Sequence, residues 1–159
     1  MLGRFVAFML AGMAALPCHA DISGEVVAIQ DGDTLTVLDE LNVQHRIRLT
    51  GIDAPEKRQS LGQKSKEALS DCAFGKQVFV EGDKFDRYQR LLGKVLVEGE
   101  DCNLKQIRLG MAWHYKKYER SQPPVDRVRY ARMELAARQD KVGLWAEAQS
   151  VAPWDFRHP

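Results

Sequence analysis

Four absences bound this 159-residue chain before any motif is read. It lacks an excess of charge, since 23 Lys and Arg stand against 22 Asp and Glu. Bulk attraction to a polyanion is excluded, and any nucleic-acid binding has to come from a local basic site. It lacks an apolar run long enough for a permanent bilayer span, which takes about 20 residues; the run from Phe5 to Leu16 is shorter, and nothing later is comparably apolar. It also lacks zinc-type spacing, because the three histidines after residue 20, His45, His114 and His158, stand singly, with no HxxxH or CxxC pattern. Internal repeats are missing as well.

What is present begins with a leader. Arg4, the apolar run and the small Ala20 make residues 1–20 a cleaved export signal. Cys18 is not read as a lipid-bearing cysteine, because Pro17 precedes it where lipoprotein signals carry a small residue. The mature chain, 21–159, is then expected in a periplasm or outside the cell, as a monomer without stable membrane association. Removing 20 of 159 residues leaves 139, enough for one compact domain, and removing Arg4 makes that domain formally neutral. Of three cysteines, Cys72 and Cys102 survive cleavage. Two buried thiols are the alternative, but export favours a Cys72–Cys102 disulfide. It would stabilise the fold by roughly 3 to 4 kcal/mol in the chain-entropy model.

The chain pattern predicts five β-rich segments: Ile22 to Ile29, Thr34 to Leu38, Gln44 to Leu49, Gln77 to Glu81 and Lys94 to Val97. Asp31-Gly32 and the polar stretch Asp39 to Asn42 close the first two hairpins. A helix falls between the third and fourth strands, with Ser60 and Gln63 spaced as a capping box and Leu61, Ala68, Leu69 and Cys72 on one face. A second begins at Asn103, buries Leu104 and Ile107, and stops at Gly110. A third follows Pro123-Pro124, with Val128, Ala131, Leu135 and Val142 as its apolar stripe. The expected fold class is α+β, a five-stranded OB-type β-barrel with three helices. Trp145 is expected in a core, and the segment Ala152 to Phe156 is expected to pack on the surface rather than act.

Oxygen donors and arginines gather in two places. Asp31-Gly32-Asp33-Thr34 alone is a hairpin turn that leaves the Asp33 carboxylate at the end of the sheet. Leaving the third strand, Arg48-Leu49-Thr50-Gly51-Ile52-Asp53-Ala54-Pro55-Glu56 puts Asp53, the Ala54 carbonyl and Glu56 in one loop. Such donors suit a hard cation, and a site with few protein ligands keeps waters that can react. Strand alternation turns Arg48 away from Ile47 and Leu49, toward that loop. Asp86-Arg87-Tyr88-Gln89-Arg90 occupies the turn between the fourth and fifth strands. A guanidinium there can grip two phosphate oxygens and remain charged while negative charge builds up at phosphorus.

These segments resemble the two signatures of the thermonucleases, the staphylococcal nuclease homologues. The first runs from Asp31-Gly32-Asp33-Thr34-Leu35-Thr36-Val37 to Arg48-Leu49 and Ile52-Asp53-Ala54-Pro55-Glu56; the second is Asp86 to Val95. Likeness continues through Gly110-Met111-Ala112-Trp113 and Gly143-Leu144-Trp145. The resemblance implies a Ca²⁺-dependent endonuclease acting on DNA and RNA and leaving 3′-phosphate products. It further implies Asp33, Asp53 and Ala54 as metal ligands and Arg48, Glu56 and Arg90 as catalytic residues. Whether Glu56 removes a proton from the attacking water or only orients it stays open. Three positions depart from the pattern: Ala54 replaces a threonine, Gln89 a glycine and Leu96 an aromatic.

Substrate contacts are expected from Arg87, Tyr88, Tyr115 and Tyr118, with Lys116 and Lys117 giving the aromatic and basic mixture of a single-strand groove. An ordinary amphipathic surface reads equally well there. Lys57-Arg58-Gln59 is either a steering loop or a solvated one. The competing reading of the whole chain is an OB-fold module that binds nucleic acid without cutting it. Retention of Asp33, Arg48, Asp53, Glu56 and Arg90 favours the enzyme.

Overall fold

A computed structural model describes residues 21–158. The proposed leader, with Cys18, lies outside the described residues. Five strands close into a barrel: β1 (Ile22–Ile29), β2 (Thr34–Asp39), β3 (Gln44–Leu49), β5 (Gln77–Phe85) and β6 (Leu91–Val97). Their order is β3-β2-β1-β5-β6, antiparallel throughout, and a parallel pairing of β3 with β6 shuts the ring. Closure removes the free sheet edges that would otherwise invite pairing with other chains. Two-residue strands β4 (Ile52–Asp53) and β7 (Glu100–Asp101) interleave with these, and β8 (Trp113–His114) pairs with β4.

Period-2 patterning explains the barrel interior. Along β6, Leu91, Gly93, Val95 and Val97 are buried while the residues between them are half-exposed. Val26, Leu35, Val37, Ile47, Leu49 and Val80 complete the filling from the other strands. Gly93 is required by the closure: a Cβ there would come within 2.4 Å of Val80 Cγ1. The expected strands fall short, the fourth by Gly82 to Phe85 and the fifth by Leu91 to Gly93. Both extend to the Asp86–Arg90 turn, with a bulge between Glu81 and Lys84.

Helices α1 (Gly62–Ala73), α2 (Cys102–Arg108), α3 (Pro124–Gln139) and α4 (Pro153–Phe156) pack outside the ring, with 3₁₀ turns at Lys116–Ser121 and Gly143–Ala146. Three of the expected local details are corrected. No capping box starts α1: Leu61 caps it in the left-handed region at φ 62°, Ser60 Oγ donates to Glu147, and Gln63 donates to Glu67. Leu61 itself packs on a second apolar cluster with Trp113, Leu144 and Ala152 rather than on the helix face. Asn103 does not open α2; Asp101 caps it, accepting from the Leu104 amide at 2.9 Å. Asn103 is instead fully buried, accepting from Val95 N and donating to Thr50 and Gly93 carbonyls.

The third correction concerns α3. Its supposed apolar stripe faces water, with Val128 47% and Leu135 57% exposed. The buried residues are Asp126, Tyr130, Glu134 and Ala137. Paired charge makes this face compatible with burial: Lys94 reaches Asp126 at 3.0 Å, Glu134 accepts from the His114 amide at 3.1 Å, and the Tyr130 hydroxyl donates to Asp101. Cys72 of α1 and Cys102 of α2 form the expected disulfide. Trp145 lies in the second cluster as expected, edge-on to Trp113 and capped by Arg138 at 3.9 Å.

At the Asp86–Arg90 turn, Gln89 has φ 59°, the geometry for which glycine is suited. Replacing Gln89→Gly should raise stability by about 0.5 to 1 kcal/mol, checked as a shift of the urea midpoint with an unchanged slope. A lowered midpoint would contradict the strain.

Candidate active site

The DGDT turn is built to hold Asp33 in place. Asp31 Oδ1 accepts from the Asp33 amide at 3.0 Å, an Asx turn, and Gln106 from α2 donates to the Gly32 carbonyl at 2.7 Å and to Ser65 of α1. Asp33 Oδ2 then accepts from the Ala54 amide at 2.7 Å, joining the first turn to the Asp53 loop. That loop is fixed from its other side. Ile52 and Asp53 pair with His114 and Trp113, and the Tyr115 amide donates to Gly51 at 2.9 Å.

Arg48 ties the carboxylates together. Its Nη2 lies 3.1 Å from Asp33 Oδ2 and 2.9 Å from Asp53 Oδ1, so those oxygens are no farther than 6.0 Å apart. Nη1 donates to the carbonyls of Leu49 and Ile52, at 2.8 and 3.0 Å. Alternation along β3 does what the sequence predicts: Ile47 and Leu49 go inside and Arg48 turns onto the loop. Burial pushes the Asp33 carboxyl up to about 7 against the opposing pull of Arg48.

Arg90 stands opposite on the β5–β6 turn. Asp86 holds it through Nε and Nη2, each at 2.7 Å, and accepts from the Arg90 and Tyr88 amides. Partial burial opposes ionisation of Asp86, yet these bonds hold its carboxyl below the usual range. A weaker contact at 3.4 Å runs from Arg90 Nη1 to Thr34 Oγ1, whose hydroxyl donates to Asp33 Oδ1. Asp86 and Thr34, which the two motifs contain without a role, thus orient Arg90, and an aspartate four residues before an arginine at a turn is the signal for it.

One open cleft of about 1350 Å³ is lined by Asp33, Arg48, Asp53, Ala54 and Glu56, and equally by Arg87, Tyr88, Arg90, Tyr115 and Tyr118. The structure therefore brings the expected metal, catalytic and substrate-contact residues to one cleft with Lys117, whereas Lys116 pairs with Glu134 instead. Tyr88 is exposed beneath the Arg87 and Arg90 guanidinium groups, at 4.8 and 5.5 Å from its ring. Tyr115 meets Tyr118 edge-on and is stacked by Trp154 at 5.3 Å. Glu56 is held by its backbone, which exchanges bonds with Gln59, while its carboxylate reaches the cleft.

One occupant was not expected. Arg157, directly after α4, places Nη1 2.6 Å from Glu56 Oε1 and Nη2 2.7 Å from Asp53 Oδ2. The segment read as a passive surface piece therefore enters the site. Among the described residues no three His, Cys, Asp or Glu side chains gather as a metal centre. The available donor set is smaller: two aspartates and the Ala54 carbonyl, all oxygen, beside open solvent. That chemistry fits a hard cation keeping several waters and does not fit zinc.

A barrel of OB type carrying paired carboxylates and two arginines on its flank defines a class of small phosphodiester-hydrolysing enzymes. The model of the family described as staphylococcal nuclease homologue matches residues 46–147, and the chain belongs to that family. Protein ParB of Escherichia coli is 39% identical over 97% of this chain and 89% of its own length. An uncharacterized endonuclease of Escherichia coli O157:H7 is 43% identical over 87% of each chain. A micrococcal nuclease of Shigella flexneri is 37% identical, covering 97% of this chain and 91% of its own.

Proposed function

We propose that this nuclease hydrolyses phosphodiester bonds of both DNA and RNA with one calcium ion, leaves 3′-phosphate ends, and works as an exported monomer. The observation that carries the reading is the convergence of Asp33, Asp53, Glu56, Arg48 and Arg90 on one open cleft. Asp33, Asp53 and the Ala54 carbonyl are the residues that would hold the ion. When bound, calcium supplies Lewis-acid polarisation of a phosphate oxygen and an anchor for nearby water.

The chain's own groups account for the rest. Glu56 orients the attacking water and can accept its proton, since its carboxylate is 39% exposed and reaches solvent in the cleft. Arg48 and Arg90 bring positive charge to the phosphate and neutralise the charge that develops as the fifth oxygen approaches phosphorus. Asp86 keeps Arg90 pre-oriented, so that no rotamer entropy is spent at the moment of reaction. Arg87, Tyr88, Tyr115 and Tyr118 extend the contact to neighbouring nucleotides. Export is supported by the composition of residues 1–20 and by the Cys72–Cys102 disulfide. Among the described residues no helix is long and apolar enough to cross a membrane.

The test is cleavage of single-stranded DNA, duplex DNA and RNA by purified protein, with calcium or with a calcium chelator, followed by analysis of the new ends. Cleavage of all three in calcium alone, with 3′-phosphates, is expected. Binding without cleavage in calcium would support the non-catalytic module instead.

A further inference from the structure

Arg157 is an arginine that the family motifs do not include. Its fork spans Asp53 and Glu56 at 2.7 and 2.6 Å, and a second contact to Asp53 Oδ1 lies at 3.4 Å. Asp53 Oδ1 already accepts from Arg48, so both oxygens of this buried aspartate are engaged by guanidinium groups. A divalent cation on Asp53 would sit against two positive forks, and one of them has to withdraw. Arg48 is the poorer candidate to leave, because it is 15% exposed and two backbone carbonyls hold it. Arg157 is 38% exposed and stands at the end of a four-residue helix. The same helix carries Trp154, whose ring covers a face of Tyr115. Metal site and stacking surface are therefore occupied by one short segment.

We propose that Arg157 is the internal counter-cation of the metal site: a divalent cation binds by displacing its guanidinium from Asp53 and Glu56, and this lifts residues 153–158 so that Trp154 uncovers Tyr115. The inference rests on the metal reading given above for Asp33, Asp53 and Ala54. Charge balance favours it, since the incoming ion takes over the neutralising role of the fork it expels. The released Glu56 becomes available to water, and the freed ring of Tyr115 becomes available to a base. Metal binding and substrate binding are coupled because both need the same segment to move.

The experiment is calorimetric titration of calcium into metal-free full-length protein, Arg157→Gln and Arg157→Lys, beside amide hydrogen exchange of residues 153–158. The glutamine variant should bind calcium roughly three- to tenfold more tightly, the effect of losing a partly exposed bidentate pair. The lysine variant should fall between, because an ammonium group cannot fork across both carboxylates. In the unaltered protein calcium should speed exchange at the Arg157 and His158 amides, which donate to Pro153 and Asp155. In the glutamine variant these amides should exchange fast before calcium is added. Equal calcium affinities, or exchange unchanged by saturating calcium, would overturn the displacement while leaving the calcium reading intact. Absence of calcium binding in all three proteins would overturn both.

Discussion

Replacing Glu56→Gln should lower the rate of cleavage by roughly 10²- to 10⁴-fold, the range that a positioned acid–base group contributes. The substitution keeps the shape of the side chain and one hydrogen-bonding oxygen but removes the charge proposed to orient water and receive its proton. Folding should survive. The side chain is 39% exposed, its backbone bonds to Gln59 do not involve the carboxylate, and its one ion pair is with Arg157 at the surface. A thermal midpoint within a few degrees of the parent protein, together with unchanged substrate affinity, would separate lost chemistry from lost structure. Activity within tenfold of the parent protein would remove Glu56 from the reaction and shift the burden to the metal and the two arginines.

Loss of the Cys72–Cys102 disulfide should be the largest single stability effect. The bridge joins α1 to α2 across 30 residues of sequence, and those residues include β5 and β6, two of the five barrel strands. Loop-closure entropy for a span of that length gives about 3 to 4 kcal/mol. For a domain of this size that corresponds to a thermal midpoint lowered by roughly 10 °C. Both cysteines are buried, so Cys72→Ala with Cys102→Ala tests the cross-link more cleanly than serine, which would add unpaired hydroxyls to the core. Scanning calorimetry on the double variant, and on the parent protein with and without reductant, reads the effect. Coincident midpoints would mean that packing of α1 on α2 makes the bridge redundant.

Much of the site was legible in the sequence because each key residue is presented by a local rule. Asp33 follows a hairpin turn, Arg48 follows strand alternation, and Asp53, Ala54 and Glu56 share one loop. The barrel was legible for the same reason, through short apolar alternations and Gly or Asn turns. Where local rules met long-range pairing they failed. The α3 stripe was read from apolar residues, yet Lys94 and Tyr130 make Asp126 and Asp101 more comfortable inside than Val128. Asn103 looked like a helix cap because asparagine favours caps, whereas its side chain joins β6 to the Thr50 carbonyl in the loop after β3. Arg157 was out of reach of any local rule, since its partners lie 104 and 101 residues away in the chain. Nothing in the composition of Pro153 to Phe156 marks the residue that follows as part of the site.

In the proposed site one calcium, held by Asp33, Asp53 and the Ala54 carbonyl, works with Arg48, Glu56 and Arg90 to cleave a phosphodiester. The decisive measurement follows calcium binding by calorimetry and cleavage of a single-stranded oligonucleotide under the same buffer and substrate conditions, over the same range of free calcium. One bound ion per chain, a shared midpoint for the two curves, and loss of both in Asp53→Asn are expected. Cleavage that persists with calcium chelated, or a bound ion whose saturation leaves the rate unchanged, would contradict this reading.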